Sequence, residues 1–391
     1  MSFAQGHPVI AIPGPSPAPE RVLRAMHRAS PDIYGDALAG ENRRLIDDLG
    51  RLAGGAGAVA TYIGNGHAAW EAANTNLFNR GDCALVLCSG HFGRAWAATA
   101  RAQGIEVEEM ECGPAAPDPQ RLADRLAQDR DRRITAVLVC QVDTASSVRA
   151  DIPALRQAMA GHPALFVVDA IASLGCEPMQ MRDWGVDVLV SASQKGLMTP
   201  PGVALVWVSE RVLARPRSDL ATPYWDWAPR FAAEELWQFW GGTPPVQHIF
   251  GLNEALRMLL DEETLPAVWA RHRGLAQATW AALDAWGAGG TGIAPTVADP
   301  AARAHAVTAA ALPGAAGLRA WTARETGVTL GIGLGAAEPE NALRIAHMGY
   351  ANASQILGTL AVIEAGMTAL NIPHGPGALE AAARAIAAPR P

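Results

Sequence analysis

The sequence predicts an α/β protein: a large domain built on a seven-stranded, mostly parallel sheet, followed by a smaller C-terminal α/β unit. Three observations carry this. Between Gly57 and Val208, short apolar runs alternate with amphipathic stretches, the βαβα pattern of a parallel sheet. Most of the runs are apolar throughout rather than at every second residue, as strands covered on both faces must be. Beyond residue 208 the rhythm stops, and a Gly/Pro-rich piece at 287–300 opens a second, shorter set of elements.

Taken in order, the runs 58–64, 83–89, 105–111, 134–140, 164–170, 186–193 and 203–209 read as the seven strands. Helical stretches at 67–78, 92–103, 119–128 and 151–160 lie between them. The loop joining the last two strands is too short for a crossover helix, so the final strand is expected to run antiparallel. The segment 210–245 is rich in Trp and Pro, and residues 224–240 alone hold four of the twelve tryptophans. Core packing explains them; a place at the active-site mouth or a dimer interface, where tryptophan is favoured, is the second reading. A long helical stretch is expected from Gln247 through Asp261, Glu262 and Glu263 to about Trp286. Strands near 304–312, 328–334 and 342–347 and a helix at 353–370 follow, and the Ala/Pro-rich tail 373–391 is expected to fray. The domain bounds read as an N-terminal arm (1–20), a large domain (21–262) and a small domain (263–391).

The bulk numbers narrow the function. The chain has 391 residues, half of them hydrophobic, 18% charged, with a net charge of −7 and no basic run, which argues against a nucleic-acid partner. No apolar run approaches the ~20 residues of a membrane span. The N-terminal stretch lacks a charged n-region and is broken by prolines, so no signal peptide is expected. Cys83, Cys88, Cys112, Cys140 and Cys176 are an odd set without CxxC spacing and read as reduced core residues of a cytoplasmic protein. No group shows the spacing of a metal site, and none is assigned.

One compositional fact points to chemistry. Of 31 basic side chains, 30 are arginine, and Lys195 is the only lysine. Where arginine serves for every generic cation, a retained lysine points to work that arginine cannot do. Arginine does not deprotonate, whereas lysine can lose its proton and attack a carbonyl. Lys195 sits just past the strand VDVLVSAS, and strand ends of open α/β sheets are where ligands bind. Asp169 closes the strand ALFVVDA, where a poorly solvated carboxylate needs a cationic partner. Alone it also fits a helix cap or a structural ion pair. Beside the sole lysine it fits a pyridinium nitrogen, which such a carboxylate keeps protonated so that the ring accepts electrons.

A phosphate calls for backbone N–H groups at a helix N-terminus, and the turn Gly64-Asn65-Gly66-His67 before AAWEAANTNLF offers them. The stretch also reads GxGxxA, a weak dinucleotide signal. The second strand ends without a clear acidic ribose ligand, and a nicotinamide enzyme leaves Lys195 and Asp169 unexplained.

The segments VDAIASLG, SASQKGLMTPPG and GGTPPVQHIFGLNEAL resemble the class V aminotransferases of fold type I, nearest to the alanine–glyoxylate and serine–glyoxylate group. The likeness runs from IPGPSPAPERVLRAM to LRIAHMG, nearly the whole chain. It implies the fold of a fold type I transferase dependent on pyridoxal 5′-phosphate. Lys195 would carry the cofactor as a Schiff base and Asp169 would pair with its ring nitrogen. Asn65, Gly66, His67 and Gln194 would surround the phosphate and ring. Phe92 would stack on one ring face, Ile171 on the other, and Thr144 would approach the O3′ side. Thr243 matches a residue reaching the phosphate of the neighbouring subunit, which implies a homodimer with shared sites. Arg344 matches the arginine that clamps the substrate carboxylate, a task suited to its planar fork. Each of Phe92, Thr144, His67 and Arg344 also has a plain structural reading, as core, turn, satisfied histidine or ion pair.

The chain departs from the family pattern in two places. Trp240 stands where many relatives have a tyrosine that gives its hydroxyl to the phosphate, and is assigned to that contact although an indole can only donate. The DHRS-like segment of many glyoxylate enzymes is replaced by SPDIYGDAL, which puts Tyr34 on the substrate side. The resemblance implies two-step, ping-pong transfer of an amino group from a small amino acid such as serine or alanine to glyoxylate or a similar 2-oxo acid. Sister enzymes acting on ureidoglycine or pyridoxamine stay open as alternatives. A lyase or cysteine desulfurase is disfavoured, since no cysteine follows Cys176 to accept sulfur.

Overall fold

The computed structural model describes residues 2–389; the expected arm (1–20) and small domain (263–391) extend to Met1, Arg390 and Pro391, which lie outside the described residues. The strands in chain order are β1 (Val9–Ala11), β2 (Ala58–Gly64), β3 (Cys83–Cys88), β4 (Glu106–Glu111), β5 (Ile134–Cys140), β6 (Val142–Asp143) and β7 (Val148–Arg149). They continue as β8 (Leu165–Asp169), β9 (Val188–Ala192), β10 (Gly202–Val208), β11 (Ala294–Pro295), β12 (Val307–Ala311), β13 (Val328–Ile332) and β14 (Ala342–Ala346).

The large sheet has seven strands in the order β2-β10-β9-β8-β5-β3-β4. All pairs are parallel except the two made by β10, which runs antiparallel to both β2 and β9, as the short preceding loop requires. Apolar-throughout strands pack two cores at once, because successive side chains point to opposite faces. Val137, Val139, Phe166, Val168, Leu189 and Leu205 join one core. Their neighbours Ala136, Leu138, Leu165, Val167, Val190 and Val206 join the other.

A second sheet has the order β1-β13-β14-β12-β11 and its own core with the helices Leu265–Gly287 and Ala353–Ala369. The three expected C-terminal strands are β12, β13 and β14. The N-terminal segment contributes β1, which pairs parallel with β13 and so ties the start of the chain to the C-terminal sheet. Three residues among prolines gave no period from which to read it.

Two expectations need correction, and one helix was not anticipated. The tail does not simply fray: Ala378–Ala387 is a helix that packs on Leu265–Gly287 with Ala378 and Ala382 fully buried. Small side chains let the two helices approach closely, a role that an Ala-rich composition hides. The long helical stretch is two helices, Val246–Arg257 and Leu265–Gly287, separated by a π-helical turn at Met258–Glu262. Pro266 lacks an N–H and is tolerated only in a first turn, so the second helix has to start at Leu265. Finally, the helix Asp36–Leu52, for which no expectation was formed, buries Leu38, Leu45, Leu49 and Leu52 on one face.

Candidate active site

The parallel strands β5, β8 and β9 deliver their C-terminal ends to one place. The turn after β9 carries Lys195, whose amine donates to the carbonyl of Pro13 on the N-terminal segment. That segment is pinned over the lysine by Ser16, which donates to the Lys195 carbonyl at 2.6 Å. Burial and the nearby Arg344 cation push the Lys195 amine down to about 8, against a smaller opposing pull from Asp169. A lysine in that range is still mostly protonated at neutral pH but carries a far larger neutral fraction than an ordinary lysine, as a nucleophile or base needs.

Asp169 ends β8 and is 4% exposed. One carboxylate oxygen accepts from the Ile171 N–H at 2.7 Å, the other from the Trp70 indole N–H at 2.9 Å. Burial drives this carboxyl up to about 6, and those two donors hold it down against that drive. Trp70 is itself fully buried, stacked on Trp96 at 5.8 Å between ring centres, and its ring meets His67 at 4.7 Å and Phe92 at 6.5 Å.

Lys195 and Asp169 line a cavity of about 290 Å³ together with Asn65, Gly66, His67, Trp70, Phe92, Thr144, Ile171 and Gln194. Asn65 caps the helix Gly66–Leu77, its side chain accepting from the His67 N–H at 3.1 Å. Gly66 has no room for a side chain: a Cβ there would lie 2.5 Å from Ile171 Cδ1. Phe92 begins its approach from the helix His91–Ala102, and Ile171 from the loop after β8. These residues fit pyridoxal phosphate on the structure's own terms. The carbonyl oxygen of the Gln194 side chain is buried without a hydrogen-bond partner, and Asp169 is a buried carboxyl with no cation in contact. A protonated heteroaromatic ring with polar substituents supplies what both lack.

Arg344 lies on β14, 7% exposed, with no carboxylate in contact. It donates to the Ile332 carbonyl at 2.7 Å and to the Thr144 carbonyl at 3.0 Å. Burial lowers it to about 10, with Asp143 opposing. The remaining fork faces a second cavity of about 540 Å³, lined also by Ser89, His91, Ala145 and Gly335. His91–Phe92 and Thr144–Ala145 form the wall shared by the two cavities. Asp143, 1% exposed, fixes that wall: it accepts from the N–H groups of Phe92 at 2.7 Å and Ala145 at 2.9 Å.

Of the expected site residues, Lys195, Asp169, Asn65, Gly66, His67, Phe92, Thr144, Ile171 and Gln194 share one cavity, with Arg344 beyond the wall. Three others lie apart. Trp240 is fully buried and gives its only N–H to Asn42 at 2.9 Å, so the assignment of that donor to a phosphate is overturned. Tyr34 is 81% exposed and lines neither cavity. Thr243 is exposed and also lines neither, its expected role being toward another subunit. Trp225, Trp227, Trp237 and Trp240 line neither cavity; Trp225 anchors the segment by accepting from Tyr62 Oη at 2.9 Å, and only Trp237 is exposed. The sequence reading missed Trp70 and Asp143. It also missed that Cys88, Glu109 and Glu111 come together. Their carboxylates are paired with Arg101 and Arg94, and no metal is assigned there.

Among the described residues no helix is long and apolar enough to cross a membrane. A family model, aminotransferase class V, matches residues 60–343. The chain is 33% identical over 386 residues to a serine–glyoxylate aminotransferase of Methylorubrum extorquens, covering 95% of this chain and 94% of that one. It is 32% identical to an L-aspartate–glyoxylate aminotransferase of Paracoccus denitrificans, over 96% and 95% of the two chains. The fold matches the crystal structure of ureidoglycine–glyoxylate aminotransferase from Bacillus subtilis with a TM-score of 0.87 and 24% identity, over 98% of this chain and 99% of that one. With its sole lysine beside a buried aspartate at the ends of adjacent strands, the chain belongs to the class V aminotransferases.

Proposed function

We propose that this enzyme uses pyridoxal 5′-phosphate to pass the amino group of a small amino acid, serine or alanine, to glyoxylate or a similar 2-oxo acid in a ping-pong cycle. The observation that carries the reading is the meeting, in one cavity, of a lysine lowered to about 8 and a buried aspartate, with an unpaired arginine just beyond. When bound, the cofactor links to an amine and draws electrons from its Cα–H bond. Lys195 holds the cofactor at rest and, once displaced, carries the proton from the substrate's Cα. Asp169 keeps the ring nitrogen protonated. Asn65, Gly66, His67 and Gln194 form the phosphate and ring surroundings, Phe92 and Ile171 take the two ring faces, and Thr144 the O3′ side. Arg344 binds the substrate carboxylate through its free fork, and Thr243 reaches the site of a second subunit in a homodimer. The N-terminal arm bridges the proposed domains: β1 pairs with β13 of the small-domain sheet, and Ser16 donates to the Lys195 carbonyl of the large domain.

A second reading, transfer from a bulkier amine such as ureidoglycine or pyridoxamine, draws on the roughly 540 Å³ of space at Arg344. That is more than a serine side chain fills. The visible absorption spectrum of the purified protein tests both. L-Serine or L-alanine alone should abolish the cofactor's resting visible band, and glyoxylate should restore it. A band that ignores small amino acids but responds to pyridoxamine, with pyruvate restoring it, selects the second reading. A protein without bound cofactor, and without uptake of added cofactor, refutes both.

A further inference from the structure

Away from the active site, a cavity of about 680 Å³ lies between β7 and the exposed face of the helix Leu265–Gly287. It is lined by Arg149, Arg273, His305, Trp269, Trp280 and Gln277, among others, and by no carboxylate. In a chain of net charge −7 that is a local reversal of sign. Its size is within the range of small-molecule sites.

The cations here are under-used. Arg149 gives one N–H to the Ala301 carbonyl at 2.7 Å, but its buried Nε has no partner. Arg273 makes no hydrogen bond or ion pair among the described residues, although many arginines of this chain are paired. Of the acids nearby, Glu177 is fully buried and engaged by His305 Nδ1 at 2.7 Å, and Asp299 caps the turn Pro300–Ala302, accepting from the Ala301 N–H at 2.9 Å. A buried guanidinium N–H without an acceptor costs free energy that an anion would recover, and the fork of arginine suits phosphate oxygens. The aromatic component is equally placed. Trp280 is fixed by its N–H bond to Thr308 at 3.0 Å and is backed by the Arg303 guanidinium. Trp269, about three turns earlier on the same face of the helix, is partly buried and forms no aromatic pair among the described residues. Its indole is a platform for a flat ring.

We infer that this cavity is a second binding site, separate from the cofactor site, for a heteroaromatic monophosphate held by Arg149 and Arg273 with its ring against Trp269. The inference does not rest on the transaminase reading. Two sources share this chemistry, a nucleotide and a free vitamin B6 phosphate. Calorimetric titration of the cofactor-loaded protein with adenosine 5′-monophosphate, pyridoxine 5′-phosphate and inorganic phosphate separates them. At least one aromatic phosphate should bind once per chain, about tenfold or more tighter than inorganic phosphate. Preference for one aromatic compound names the source. Arg273→Gln, on the exposed helix face, should weaken binding about tenfold or more and leave the visible spectrum unchanged. Trp269→Ala should erase the preference over inorganic phosphate. No binding at millimolar concentration, equal affinity for bare phosphate, or indifference to Arg273→Gln would overturn the site.

Discussion

Trp70→Phe removes one atom group that matters, the indole N–H given to Asp169 at 2.9 Å, while keeping an aromatic ring in the core. A hydrogen bond to a buried charged group contributes about 1.5–3 kcal/mol. At 1.36 kcal/mol per pKa unit, its loss raises Asp169 by about one to two units. The starting point is about 6, so the variant's carboxyl titrates at about 7–8 in the cofactor-free protein. At pH 7 the ionised fraction then falls from about 0.9 to between about 0.5 and 0.1. Cofactor affinity, which needs the ionised form against a protonated ring nitrogen, should fall about two- to tenfold at pH 7 and recover by pH 9. The assay is equilibrium binding of pyridoxal phosphate to stripped protein across pH, followed by the visible band. Trp96→Phe is the control. It loosens the same stack but leaves the N–H on Asp169, so its pH midpoint should match the parent's. A Trp70→Phe midpoint equal to the parent's, or a loss of affinity uniform across pH, would refute the argument that Trp70 sets the charge of Asp169.

Lys195→Ala should leave no cofactor attached after borohydride reduction and denaturation, because no other lysine exists to capture it; intact-protein mass reads the result. Arg344→Ala should raise KM for the amino acid by about ten- to a hundredfold, the worth of one or two charged hydrogen bonds, with Arg344→Lys recovering only part for want of the fork. Capture of cofactor by stripped protein should speed up with pH and level off above about 8, the value at which Lys195 loses its proton, rather than near 10.5. The same shifts fix the sign of stability against pH. Between about 8 and 10.5 the unfolded chain binds more protons at Lys195, so stripped protein should gain stability as pH rises there. Between 3.8 and about 6 the folded chain binds more at Asp169, so it should lose stability as pH rises there, an effect that Asp169→Asn abolishes in thermal melts.

How far this site was legible depended on whether a residue's environment could be read from its own neighbours. Lys195 stood out by composition, and Asp169 by closing a strand apolar on both faces. Asp143 closes the run that continues β5 in the same way, so the same signal existed there and was passed over. Trp70 was harder. Within AAWEAA it reads as helix core, and only the spacing of four from Gly66 puts it on the face that meets Ile171 and Asp169. Trp240 misled for a different reason. Its acceptor, Asn42, lies on the helix Asp36–Leu52, distant in sequence, so nothing local distinguished a satisfied core indole from a phosphate donor. In the large sheet most strands were legible because full burial leaves a continuous apolar run, while the edge strand β4, EVEEME with only Met110 buried, showed itself by partial alternation instead. The helix Ala378–Ala387 and β1 were not, because alanine and a three-residue strand carry no period.

The polar inventory of the two adjoining cavities explains why they should form a binding site rather than a packed core. Lys195 and Arg344 are two shielded cations that touch carbonyls and no carboxylate. Asp169 is a buried carboxyl whose contacts are neutral donors, and Gln194 keeps an unpaired oxygen. Each arrangement costs folding free energy, since a buried charge wants an opposite charge and a buried acceptor wants a donor. Yet the surrounding scaffold spends strong interactions on holding them in place: Asp143 on the Phe92 and Ala145 N–H groups, Ser16 on the Lys195 carbonyl, Trp70 on Asp169. Local rules broken at two adjoining cavities and obeyed around them are the mark of a site completed by its ligand. Loading with cofactor and then with a carboxylate inhibitor should therefore raise the melting temperature in two successive steps, the second lost in Arg344→Ala.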